Sequence, residues 1–250
     1  LMAIDNFNVV CIMQARTGST RLPEKVLKKV CGKIVLEHDV DRLKRVENID
    51  KIVIATTKLE KDNAIVEEAK KLNITYFRGS EENVLSRYYY AAKENNADVV
   101  VRVTSDCPLI DSEITEKIIQ YYLDNNAKYD YVSNTIDRTY PRGLDTEVFS
   151  FKALEKAFNE AENLRDKEHV TPYIWGNSRI FRLAQYKNDI DYSSFRWTLD
   201  TIEDFQLISS IYDKLYFKKG NQFDMNDILN LYKKYPKLLK INEDISQKEV

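Results

Sequence analysis

The sequence predicts an α/β fold, a mostly parallel central sheet flanked by helices with a mixed C-terminal half, and three observations carry that reading. Short apolar, β-branched runs alternate with longer amphipathic stretches through the first half, the pattern of βαβ units on a parallel sheet. From about Tyr129 the alternation loosens into short strand candidates separated by polar connections. No internal repeat, low-complexity stretch or Gly/Ser/Pro-rich linker marks a boundary, so residues 1–250 read as one domain. Within it, 1–128 forms the first half, 129–235 the second, and the polar residues 236–250 a loose tail.

The strand runs of the first half are 9–13, 52–55, 75–77 and 99–103, rich in Val and Ile, which suits strands buried on both faces. Between them, 36–46, 62–72, 84–94 and 114–123 carry apolar residues at helical spacing with charges between, as crossover helices require. The second half offers strands at 131–133, 147–149, 181–186 and 196–199, and helices at 151–161, 202–215 and 225–235.

With 250 residues and 43% hydrophobic content, the chain can bury a large core. Its 38 Lys and Arg nearly balance 40 Asp and Glu, so no global field attracts nucleic acid or anionic lipid, and an anionic ligand must be gripped locally. Cys11, Cys31 and Cys107 are odd in number and form no C-x-x-C pair, which argues against a disulfide framework or zinc site and for a reducing cytoplasm. No apolar run approaches the roughly 20 residues that span a bilayer, and no basic stretch followed by an apolar core opens the chain. The protein is expected to be neither exported nor inserted.

The first strand run leads into Gln14-Ala15-Arg16-Thr17-Gly18-Ser19-Thr20-Arg21-Leu22-Pro23-Glu24-Lys25. Open α/β sheets bind ligands beyond the carboxyl ends of their strands. Gly18 permits close approach of backbone N–H groups to a phosphate, and Arg16, Arg21 and Lys25 supply cations. No Walker A loop and no G-x-G-x-x-G occurs in the chain. On composition the segment is equally a phosphate cradle or a solvated basic loop.

Residues 99–103 deliver Thr104-Ser105-Asp106-Cys107-Pro108. Pro108 cannot donate to a ladder, which places Asp106 at the sheet's rim. If this strand neighbours the first at the switch in strand order, Asp106 faces the Arg16 loop; the bland reading is an Asx turn. Asp200, ahead of the helix near Ile202, reads either as a cap in a box with Glu203 or as a second metal carboxylate. Ser80 reads as a cap with Asn83 three residues on. Residues 140–147 form a polar turn leading into a strand. His169 has an ordinary hydrogen-bonded reading, and His38 lies on an amphipathic stretch. Asp189 and Asp191 form a D-x-D in a polar connection and read as a solvated loop. Trp175, Trp197 and the tyrosines serve packing.

The segment 14–36 resembles the signature of the SpsF-like cytidylyltransferases, relatives of the enzymes that make CMP-activated 3-deoxy-manno-octulosonate and CMP-sialic acids. The likeness continues through 50–56, 77–85, 98–109, 140–149, 168–173 and 196–201 and covers nearly the whole chain. Glu24 and Ser105 stand where Gly is usual in that pattern, and Arg142 where Asp is usual.

The resemblance implies a Rossmann-like, nucleotide-diphospho-sugar-transferase (GT-A-like) architecture and a Mg2+-dependent transfer of CMP from CTP to a sugar acid or a sugar or polyol phosphate. It further implies bacterial surface or spore-coat polysaccharide synthesis and a homodimer. Carried onto this chain, Arg16, Lys25, Asp106 and Asp200 are the catalytic candidates, with Asp106 and Asp200 as metal ligands. Gln14, Ala15, Arg16, Gly18, Ser19, Arg21, Lys25 and Asp106 hold the nucleotide, with Ser80 and Arg87 beside the base. Arg138, Arg142, Asp145, Glu147, His169 and Arg196 are candidates to face a small anionic sugar acceptor. A nucleotide-sugar glycosyltransferase and a nucleotide-binding module without turnover are the rival readings.

Overall fold

The computed structural model describes residues 7–247; the readings made for residues 1–6 and for 248–250 of the expected tail lie outside them. β1 (Val9–Gln14) is followed by a small hairpin of β2 (Lys29–Val30) and β3 (Lys33–Ile34), then α1 (Val35–Leu43), β4 (Lys51–Thr57), α2 (Asn63–Lys71) and β5 (Thr75–Gly79). α3 (Val84–Glu94), β6 (Val99–Thr104) and α4 (Ser112–Asp124) complete the first half. The second half holds β7 (Tyr131–Ser133), β8 (Glu147–Ser150), α5 (Phe151–Glu160), α6 (Leu164–His169), α7 (Pro172–Trp175), β9 (Leu183–Gln185), α8 (Ile202–Lys219) and α9 (Met225–Lys234).

One sheet runs in the order β5-β4-β1-β6-β8-β7-β9. β5, β4, β1 and β6 are mutually parallel; β8 is antiparallel to both β6 and β7, and β9 rejoins in parallel beside β7. This is the expected α/β class with its mixed second half. The order reverses between β1 and β6, so the loops after these two strands diverge and leave a crevice between them.

Alternate residues of β1 explain the two-sided burial. Val9, Cys11 and Met13 join the core under α1, α4, α8 and α9, while Val10 and Ile12 join the one under α3 and α5. A strand covered on both faces must be apolar at both parities. Helix starts fix the flanks: Asn83 accepts from the Ser86 amide, and one Asp111 oxygen accepts from the Glu113 and Ile114 amides. The other Asp111 oxygen accepts from the Met225 amide and ties α9 to α4.

The structure departs from the sequence reading in a few places. Residues 196–199 are not a strand: Arg142 and Arg196 form a single parallel bridge, and the Leu199 amide reaches the Asp106 carbonyl at 2.7 Å. α6 and α7, too short to show a period, went unanticipated. The chain after Pro236 is not loose as far as it is described. Leu238 is buried, and the Asn242 amide group donates to the Arg196 carbonyl at 3.0 Å and to Asp204 at 2.9 Å.

Candidate active site

The loop from β1 is held by a residue the sequence did not point to. Asp62, fully buried just ahead of α2, accepts from the Thr17 amide at 2.8 Å and the Thr17 hydroxyl at 2.7 Å, and its other oxygen accepts from Thr57 Oγ1. Burial works to raise its pKa, but these donors hold it below the ordinary carboxylate value. The Ser19 and Glu24 amides both donate to the Thr17 carbonyl, so Thr17 is the pin about which the loop folds. Among the described residues the amides of Arg16, Gly18 and Thr20 donate to no protein acceptor, as a phosphate cradle requires.

Glu24, the residue in this loop at odds with the family pattern, has φ 54° and ψ 27°. That is the left-handed region, where a side chain costs strain that glycine avoids. Glu24→Gly is therefore expected to stabilise the fold by about 0.5–1 kcal/mol after glycine's own entropy cost, raising the melting temperature by roughly 1–3 °C. A melting curve shifted downward would show that the loop does not feel this strain.

Lys25 is the centre of the site. Its ammonium lies 2.6 Å from Asp106 Oδ2 and 2.7 Å from Asp200 Oδ1, so the ends of three separate segments converge on one point. Burial works to lower the Lys25 pKa, but the two carboxylates raise it, so it is held firmly protonated. Asp106 makes no Asx turn. Asp200 does not cap α8 either: the box is Thr201 with Asp204, whose amide and carboxylate exchange hydrogen bonds with it at 3.3 and 3.1 Å. That frees the Asp200 carboxylate for Lys25, for Arg21 at 3.1 Å and for Arg196 at 2.9 Å. Burial works to raise Asp200, but Lys25 and the two arginines keep it below its ordinary value.

Two carboxylates aimed at one cation position, with no cluster of three His, Cys, Asp or Glu among the described residues, form the donor set that magnesium accepts when phosphate oxygens complete its shell. They do not form a nitrogen- and sulfur-rich zinc set.

Around this point the cleft divides into three chambers. The first is bounded by Gln14, Ala15, Arg16, Val84, Arg87 and Ser105. The second, of about 560 Å3, holds the rest of the loop with Asp106 and Asp200; the third, of about 720 Å3, is walled by β6, β8 and α7, both within the usual range for small-molecule sites. Arg87 reaches the first chamber, buried and donating to the Ala55 and Glu81 carbonyls. Ser80 is not brought to the cleft: it is exposed, and its hydroxyl accepts from the Asn83 amide.

Of the residues expected to face an acceptor, several are already engaged. Arg138 grips both oxygens of Asp145 at 2.5 and 2.8 Å. Glu147 is a buried hub that accepts from Arg102, from Tyr131 at 2.6 Å and from Thr171 at 2.6 Å. Arg196 is spent on Asp204 and Asp200 and positions the latter. His169 touches all three chambers, and burial lowers its pKa, favouring neutral imidazole. It is aimed by Val170, whose φ of 73° is a strained conformation for a β-branched residue, in a tight turn from the His169 carbonyl to the Thr171 amide.

Sequence reasoning gave no role to Asp62 behind the loop, nor to Arg102, Thr104, Glu168, Thr198 and Gln247 in these walls. Arg102 bridges Glu147 to Gln14 at 3.2 Å and was hidden inside an otherwise apolar strand. His38 is structural, bonded to the Val30 carbonyl at 2.8 Å, and neither Asp189 nor Asp191 lines the cleft.

A cation-rich loop with free amides at the order switch of a parallel sheet, beside paired carboxylates, defines the class of α/β nucleotide-handling proteins. The comparisons narrow it. The family model described as cytidylyltransferase matches residues 10–245. The spore coat polysaccharide biosynthesis protein SpsF of Bacillus subtilis is 32% identical over 215 residues, covering 83% of this chain and 87% of that one. An uncharacterised protein of Methanocaldococcus jannaschii is 41% identical over 248 residues, 96% of each chain. The solved structure of a cytidylyltransferase from Leptospira borgpetersenii superposes with a TM-score of 0.89 at 34% identity, covering 97% of this chain and all of that one. The chain belongs to the cytidylyltransferase family.

Proposed function

We propose that this protein transfers CMP from CTP to an oxygen of a sugar acid or of a sugar or polyol phosphate, with Mg2+ as cofactor and pyrophosphate as leaving group, in the synthesis of a surface polysaccharide. The observation that carries the proposal is the Lys25 ammonium between Asp106 and Asp200 at the foot of the loop. When bound there, magnesium supplies charge neutralisation and orientation of the phosphate oxygens.

The chain's own groups do the rest. Arg16, exposed and without a protein partner among the described residues, and Arg21 meet the outer phosphates, and the free amides of Arg16, Gly18 and Thr20 line the same groove. Asp106 and Asp200 would hold the metal, and the Lys25 ammonium beside them would offset charge on the triphosphate. The acceptor oxygen then displaces pyrophosphate at the α-phosphorus in line. Such catalysis is positioning and electrostatics, which accounts for a site with no nucleophilic triad. No helix among the described residues is long and apolar enough to cross a membrane; the cytoplasmic setting and the homodimer belong to the proposal.

A screen of the four nucleoside triphosphates against sugar acids and sugar phosphates, read by pyrophosphate release and by mass spectrometry, tests this. A CMP adduct formed from CTP alone is the expected result. Release of a nucleoside diphosphate from a nucleotide sugar, or CTP binding with no product from any acceptor, would overturn it.

A further inference from the structure

Of the arginines around the acceptor chamber, one has no counter-ion. Arg138 is closed on Asp145, Arg102 on Glu147, and Arg196 on Asp204 and Asp200. Arg142 makes no side-chain hydrogen bond or ion pair with any described residue, although it lines both the second and the third chambers. Asp145, the acidic group whose field favours the Arg142 charge, has both oxygens on Arg138. Arg142 is half-buried beside like charges: burial, Arg138 and Arg196 act against its charged form and outweigh the favourable field of Asp145. A guanidinium left in that position is an anion site waiting for its anion, since a partly desolvated charge gains most from a bidentate partner.

The backbone holds it there. The Arg142 amide donates to the Phe195 carbonyl at 3.0 Å, and its carbonyl accepts from the Trp197 amide at 2.7 Å. Gly143 follows with φ +103°, and a Cβ at that position would fall 2.6 Å from the Trp197 carbonyl carbon, so the turn is pressed against the segment that ends in Asp200. The position of Arg142 is thereby fixed relative to the carboxylate that completes the metal site. None of the loop residues 14–25 lines the third chamber, whose walls are Thr135, Arg138, Glu147, Thr171 and Trp175 among others. An anion on Arg142 from that side is therefore not the triphosphate.

Resting on the transferase reading above, we propose that Arg142 determines acceptor specificity by pairing with an anionic group, a carboxylate or a phosphate, on the sugar that enters the third chamber. The anion sits at the mouth shared by the two chambers, so it holds the acceptor with its hydroxyl toward the metal-triphosphate side. An uncharged sugar would leave Arg142 without a partner, and the site selects against it for that reason.

The test compares wild type with Arg142→Ala and Arg142→Gln, the latter keeping the packing of the stem. Calorimetry is run with 3-deoxy-manno-octulosonate, N-acetylneuraminate, mannose 1-phosphate and ribitol 5-phosphate, each against its methyl ester or dephosphorylated form, with and without CTP. Wild type is expected to bind at least one anionic probe roughly 10- to 100-fold more tightly than its neutral form. Both variants are expected to lose that preference, melt like wild type and keep their affinity for CTP. Whether the retained probe carries a carboxylate or a phosphate names the acceptor class. An absence of preference in wild type, or its survival in both variants, would overturn the proposal, and a parallel loss of CTP affinity would reassign Arg142 to the triphosphate. Failure of wild type to bind or turn over CTP would instead defeat the transferase reading, while the anion preference measured without CTP still decides the role of Arg142.

Discussion

Replacing Lys25 by methionine is expected to lower pyrophosphate release from CTP by roughly 10²- to 10³-fold, the usual loss when one group that stabilises developing charge is removed. The variant should still fold. Among the described residues Lys25 Nζ is held only by Asp106 and Asp200, and Arg21 and Arg196 remain on Asp200 after its loss. Methionine keeps the volume of the stem, and the released carboxylates are not fully buried, with side-chain exposures of 23% and 15%, so water can reach them. Steady-state turnover beside a thermal melt separates the two effects. Turnover within a few-fold of wild type, in a variant that melts normally, would remove Lys25 from the mechanism.

The second large effect concerns metal binding. The two carboxylates share an internal cation, the Lys25 ammonium at 2.6 and 2.7 Å. Metal alone must displace Lys25, whereas metal with CTP gives the ammonium a triphosphate to turn to. Wild type is accordingly expected to bind Mn2+ weakly without CTP and at least about 10-fold more tightly with it, a coupling of the ordinary allosteric size. In Lys25→Met the ammonium between the carboxylates is gone, although Arg21 and Arg196 stay on Asp200, and Mn2+ should bind whether or not nucleotide is present. Paramagnetic relaxation of water protons measures both. Tight Mn2+ binding by the nucleotide-free wild type, unchanged in the variant, would show that Lys25 does not guard the site.

How much of this was legible depends on how local each feature is. β1, β4, β5 and β6 and the helices between them were readable because their burial leaves a periodic trace in the sequence. That Asp106 lies at the sheet's rim followed from the buried strand run before it, whereas its facing the loop of β1 waited on the strand order that the structure supplies. The role of Asp200 could not be settled that way: cap and free carboxylate are both compatible with Asp-Thr-Ile-Glu, and only the geometry shows Thr201 and Asp204 closing the box. Ser80 shows the reverse case, a plausible base contact that the chain turns outward. The end of the chain misled because its composition is polar, while Leu238 and Asn242 anchor it by contacts that composition does not report.

By itself the sequence determined the alternating α/β architecture and the chemical character of the loop between Gln14 and Lys25, since each rests on residues close together in the chain. The tertiary structure alone decided which charges are free and which are taken. Lys25 meets Asp106 and Asp200 across 81 and 175 residues, and Thr17 meets Asp62 across 45. Arg138, Arg142 and Arg196 are the same residue type, yet two of them have counter-ions and one does not. The strength of an ionic group lies in its partners and its burial, and partners brought together by folding leave no periodic trace in the chain that carries them.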